Sequence, residues 1–153
     1  MKKITLLAAL LLTCLAQAQI TTGNISLSGT YSVSLEVSDT DVLITMVGEE
    51  NRWMGLGFGV SSMTAGGDVV SYDNTGFNDR AFLGIGQSPQ LDTQDWTLLS
   101  NDVSGGVRTV VATRDLSGSD GTDFTFDPNA DSLDIVWANG VTGNFQNHGS
   151  SNR

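Results

Sequence analysis

Tyr31-Ser32-Val33-Ser34-Leu35-Glu36-Val37-Ser38-Asp39-Thr40-Asp41-Val42-Leu43-Ile44-Thr45-Met46 holds two alternating runs joined by a polar break. Tyr31, Val33, Leu35 and Val37 alternate with serines and Glu36, and Val42, Ile44 and Met46 resume the pattern after Ser38-Asp39-Thr40-Asp41. A period of two puts the apolar side chains on one face of an extended chain, and a polar turn between two such runs is a hairpin signature. Working outward, further strands are expected over residues 52–60, 68–72, 80–85, 96–100, 106–113 and 132–138, separated by Gly, Asn, Asp and Ser clusters. No window of a dozen residues carries a helical apolar stripe. The expected fold is all-β, one antiparallel β-sandwich or barrel without internal repeat or linker.

Residues 1–18 read as a secretory signal peptide, with Lys2 and Lys3 at the basic end, an apolar segment over 4–15 and Ala16-Gln17-Ala18 as the cleavage site. Cys14 belongs to that segment, and Thr13 before it is a poor lipoprotein signal. The expected product is a periplasmic or secreted domain over residues 19–153. The apolar segment is too short to span a bilayer and nothing later is longer, so no membrane insertion is expected. Loss of both lysines takes the formal net charge from −10 to −12. Such a surface repels nucleic acid and anionic membranes and attracts a protein with a basic face.

The mature chain then holds one histidine, His148, with no cysteine and no lysine. A Ser-His-Asp site would have to be built on His148, and thiolate or Schiff-base chemistry is excluded. A copper site needs several imidazoles, and covalent haem attachment needs a C-x-x-C-H motif that the chain lacks. A single imidazole is left with one coordinating or proton-shuttling role, or a structural hydrogen bond.

Trp53-Met54-Gly55-Leu56-Gly57-Phe58-Gly59-Val60 carries a second signal. As a strand it shows Met54, Leu56, Phe58 and Val60 on one face and Trp53, Gly55, Gly57 and Gly59 on the other. Strand glycines usually mark a bend; they also allow a flat ligand to approach the backbone. Met63 follows in a polar, glycine-rich loop, where it either tucks beneath the loop or acts as a soft ligand. Thioether and imidazole together are the axial pair of many electron-transfer haems.

The pattern W-x-G-L-G-F-G-x-x-x-M-x-x-G-D-V-V over residues 53–70, with L-D-I-V-W-A-N-G over 133–140 and F-x-x-H-G-x-x-N-R over 145–153, resembles the DOMON domain. More narrowly, it is similar to the branch that binds b-type haem, as in the cytochrome domain of cellobiose dehydrogenase. The resemblance implies an immunoglobulin-like β-sandwich in which Met63 and His148 hold the iron of a non-covalent haem b. Trp53, Gly55, Gly57 and Phe145 are the matching positions around it. It implies an electron carrier without enzymatic turnover, served by a redox partner protein. In the family a further strand follows the histidine motif, whereas this sequence stops at Arg153, so either it is a fragment or the sandwich lacks its last strand. Other members of the family bind sugar, and a non-enzymatic carbohydrate-binding or adhesive domain is the alternative reading.

Three other groups of residues carry candidate chemistry. The acidic run from Asp115 through Asp120, Asp123 and Asp127 to Asn129 and Asp131 offers oxygen ligands for calcium, but it lacks the glutamate of an EF-hand loop and fits no calcium spacing. Trp53, Trp96 and Trp137 are candidates for a sugar platform, although Trp137 within Leu133-Asp134-Ile135-Val136-Trp137-Ala138 suits the core better. No acid pair stands out for glycoside hydrolysis.

Overall fold

The computed structural model describes residues 19–149, 152 and 153, so the expected signal peptide lies outside the described residues. These residues form strands and no helix: β1 (Ile20–Thr21), β2 (Ile25–Ser26), β3 (Ser32–Val37), β4 (Asp41–Glu49), β5 (Met54–Phe58), β6 (Asp68–Asp73), β7 (Gly76–Ala81), β8 (Gln90–Leu91), β9 (Thr97–Ser104), β10 (Val107–Asp115) and β11 (Ile135–Asn139). They make two antiparallel sheets, one ordered β1-β3-β4-β10-β9 with β2 also on β3, the other β11-β5-β6-β7-β8. The chain is an all-β sandwich.

The β3–β4 hairpin has the register its alternation requires, with Leu35 opposite Ile44 and Val33 opposite Met46. Val33, Leu35, Val42, Ile44 and Met46 face inward, joined by Val110 and Ala112 of β10 and by Met54, Leu56, Phe58 and Val70 of the other sheet. Each such side chain, once fully buried, contributes roughly 1.5–3 kcal/mol from removal of apolar surface from water. Tyr31 crosses between the sheets: its buried hydroxyl donates to the Gly55 carbonyl at 3.2 Å. Burial pushes the phenol well above its ordinary pKa, so it stays a neutral donor that fixes β5 from the inside.

One strand differs from expectation. Residues 80–85 were expected to be a strand, but the strand is Gly76–Ala81, entered through a turn with Gly76 at positive φ. Its register explains the concealment. Asp79 faces the interior opposite Val70, whereas Arg80 is buried on the outer face opposite Val69, so charges occupy positions where alternation would show apolar residues. The short strands β1, β2 and β8 also escaped notice, being two residues each. Trp137 packs against the core, edge-on to Tyr31 with ring centroids 6.0 Å apart. Trp96 lies between the sheets, stacked on Phe58, so the three indoles do not form one exposed platform.

Candidate functional site

The outer face of the five-stranded sheet is built from residues that alternate with the core. Gly57 lies opposite Val136 on one side and Val69 on the other, and Gly55 lies opposite Ala138 and Ser71. This small-residue strip floors a cavity of about 920 Å³, at the upper end of the ~300–1,000 Å³ usual for small-molecule sites. Trp53, Gly55, Gly57, Met63, Phe145 and His148 all line it.

Met63 sits in the loop between β5 and β6, which Gly59 opens with a φ of 64° that a residue bearing Cβ rarely adopts. The loop is fastened to the segment after β7: Gly66 N–H donates to the Phe82 carbonyl at 2.7 Å, and Phe82 N–H to the Gly67 carbonyl at 2.8 Å. Met63 is half-buried at the cavity wall, whereas Met46 and Met54 are buried between the sheets. Among the described methionines, Met63 alone lines the cavity.

His148 arrives on the segment that follows β11, and a series of bonds holds that segment in place. Trp53 N–H donates to the Thr142 carbonyl at 2.9 Å, Gly140 N–H to the Trp53 carbonyl at 2.8 Å, and Asn74 N–H to the Gly143 carbonyl at 2.8 Å. Phe145 packs on Trp53, with centroids 4.8 Å apart, and lies over the Arg80 guanidinium at 4.0 Å. That guanidinium is itself fixed by the Ser71 hydroxyl at 2.8 Å and the Asp73 carboxylate at 3.1 Å. Phe145 therefore positions the tail, and its ring reaches the cavity from the side.

The imidazole is half-buried, 6.5 Å centroid to centroid from Trp53. Its Nδ1 lies 2.5 Å from the Gly149 carbonyl oxygen. A carbonyl only accepts, so Nδ1 carries the proton and Nε2 keeps its lone pair for a ligand. Gly149 has a φ of 71°, the turn that brings its carbonyl back to the ring, and its N–H is capped by Asn147 Oδ1 at 2.7 Å. Asn152 donates to the His148 carbonyl at 2.8 Å, while its own carbonyl accepts from Asn139 at the end of β11 at 3.1 Å. Trp53 Nε1 is buried and has no hydrogen-bond partner among the described residues.

Phe82 was not visible in the sequence as a site residue. Its ring covers Gly57 so closely that a Cβ there would come within 2.7 Å of the ring and 2.9 Å of Val136. The glycine therefore makes room for a side chain of the same chain, which neither the bend nor the flat-ligand reading anticipated. Gly57→Val is expected to destabilise the ligand-free domain by roughly 1–3 kcal/mol through overpacking, and Phe82→Ala in the same chain to recover most of it. Thermal melts of the single and double variants check this; a ligand-free Gly57→Val melt equal to the parent's would show that Phe82 is not what requires the glycine.

A second group escaped the sequence reading. Asp68, Asp79 and Arg114 are buried on the inner faces, with Asp123 beside them. Arg114 binds Asp68 at 3.0 Å and Asp123 at 3.2 Å, and its guanidinium carbon lies 5.0 Å from the Trp96 ring centre. Burial pushes Asp68 up to about 6 against the opposing pull of Arg114. Burial, then the Asp68 charge, pushes Asp79 up to about 7. The available signal was positional: Arg114 continues the inward stripe of Val110 and Ala112, and Asp68 shares the face of Val70. Of the acidic run from Asp115 to Asp131, Asp123 alone enters this cluster.

The model of the DOMON domain matches residues 27–140, which includes Met63 and the glycine strand and stops short of His148. No curated protein matches the chain. With three quarters of its length matched, the chain belongs to the DOMON family.

Proposed function

We propose that this chain is an exported electron-transfer domain that binds haem b non-covalently, with Met63 and His148 as the axial ligands of its iron. The observation that carries the reading is the convergence of a loop thioether and the single histidine of residues 19–153 on one glycine-floored, largely apolar cavity. Bound there, haem supplies one-electron chemistry at its iron. His148 offers Nε2 because its Nδ1 proton is held by the Gly149 carbonyl, which also fixes the plane of the ring. Met63 offers a soft, neutral sulfur that favours the reduced metal. Val69, Phe82 and Val136 exclude water from the floor, and Arg153, the only cationic side chain among the described lining residues, is available to an acidic edge of the ligand.

With Met63 and His148 both holding the iron, no position would be left for substrate, so the domain would carry electrons without turnover of its own. With a net charge of −12 after removal of the signal, its redox partner is a protein with a basic face, and their encounter weakens as salt screens the attraction over ~8–10 Å. Nucleic acid and membrane lipid are not partners in this reading.

Haem titration followed by visible spectroscopy tests it. The expected result is a stoichiometric complex, six-coordinate and low-spin in both oxidation states. A protein that takes up no haem would overturn the proposal and favour the carbohydrate-binding role found elsewhere in the family.

A further inference from the structure

We propose that Asp68, Asp79 and Asp123 form a buried site for a divalent cation of the calcium type, inside the sandwich and behind the loop that carries Met63. One carboxylate oxygen from each lies within 4.8 Å of the others. Calcium takes oxygen ligands at ~2.3–2.6 Å, so oxygens on opposite sides of one ion stand about that far apart. The inference does not rest on haem binding.

Unpartnered buried atoms give independent support. Asp68 is 3% exposed and Asp79 1%, yet Oδ1 of each has no hydrogen-bond partner among the described residues. The other oxygens are engaged. Asp68 Oδ2 accepts from Arg114 at 3.0 Å and from Phe124 N–H at 2.9 Å, Asp79 Oδ2 accepts from Asp95 N–H at 3.3 Å, and Asp123 Oδ2 accepts from Asp120 N–H at 2.9 Å. Leaving a buried acceptor unsatisfied costs its full desolvation penalty, and more when it is charged.

Charge points the same way. Three carboxylates against the single guanidinium of Arg114 leave two negative charges in the interior, the amount that one divalent cation cancels. The donors are hard oxygens with no nitrogen or sulfur, which suits calcium and disfavours zinc or copper. A polar cavity of about 630 Å³ lined by Arg114, Asp95, Asp115, Gly118 and Ser119 meets the cluster at Arg114. Gly118 faces it without a side chain because a Cβ there would collide with the Asp123 carboxylate.

Protons compete for the same oxygens. The groups facing Asp79 are Asp68, Asp123, Arg114 and the Asp95 backbone; Asp95 itself is held low by Ser119, and Asp123 is raised by burial. Because Asp68 and Asp79 sit near 6 and 7 when folded, above the ordinary carboxylate value, the folded state holds protons that the unfolded state releases. Stability of the metal-free protein therefore falls as pH rises through about 6–7, and a cation restores it on the alkaline side.

The test uses chelator-treated protein, melted at pH 8 and pH 5.5 with and without millimolar calcium chloride, together with terbium emission excited through tryptophan. Expected are a calcium-induced rise in Tm of roughly 5 °C at pH 8, little at pH 5.5, and terbium emission that calcium displaces. Asp79→Asn should abolish both responses and melt higher than the metal-free parent at pH 8. Absence of terbium emission and of a calcium shift at pH 8, or a shift that survives Asp79→Asn, would overturn the site and leave protons as the only neutralising agent.

Discussion

His148→Ala is expected to leave the domain folded and unable to retain haem. The imidazole lines the cavity with Nδ1 engaged and no partner for Nε2 among the described residues, so alanine removes the imidazole that the proposed haem requires while the tail stays tied through Thr142, Gly143 and Phe145. Loss of a group that merely orients a ligand costs ~10–100-fold in metal affinity, and loss of the ligand itself exceeds that. Met63→Ala is expected to act differently: haem stays on His148, one axial position opens, the reduction potential falls and carbon monoxide binds. Spectra, potentiometry and carbon monoxide titration separate the two variants, with Met54→Leu and Met46→Leu as neutral controls because both residues are buried between the sheets. A ligand-loss spectrum from either control, with none from Met63→Ala, would remove Met63 from the site.

The second large effect concerns the interior charge. Arg114→Leu deprives Asp68 and Asp123 of their buried cation and leaves Asp79 without its nearest positive charge. Breaking a buried ion pair by removing one partner costs about 3–5 kcal/mol, a large share of the ~5–15 kcal/mol that holds a domain together. Tm is expected to drop by roughly 10–20 °C at pH 8. The loss should shrink at pH 5.5, because Asp68 and Asp79 are already raised toward 6 and 7 and the folded variant can neutralise them with protons. Urea melts at the two pH values measure it; an equal loss at both would mean that Arg114 acts through packing on Trp96 and Phe126 and not through charge.

The all-β sandwich was legible in the alternation of residues 31–46, since a half-buried strand has to separate apolar from polar side chains with a period of two. Met63, His148 and the glycine strand were legible for another reason. Each is conspicuous by residue type, a thioether in a polar loop, a lone imidazole and three alternate glycines, and the family pattern joined them.

What only the tertiary structure decided depends on pairing across the sheets. Gly57 meets Phe82 because the segment after β7 folds back against the loop of β6, a contact that no local pattern encodes. The shift of β7 to Gly76–Ala81 arose because Asp79 and Arg80 are buried at positions where alternation would show apolar residues, Arg80 pairing with Asp73 of β6, so a strand that carries buried charges reads as a loop. The cluster around Arg114 is the clearest case. Its carboxylates come from β6, β7 and the segment after β10, each an ordinary surface residue in sequence, and only the stacking of two sheets puts them together out of water. Alternation along a strand is a local property that a sequence displays; the neighbours a side chain finds across the sandwich are set by register and packing, which a single sequence does not display.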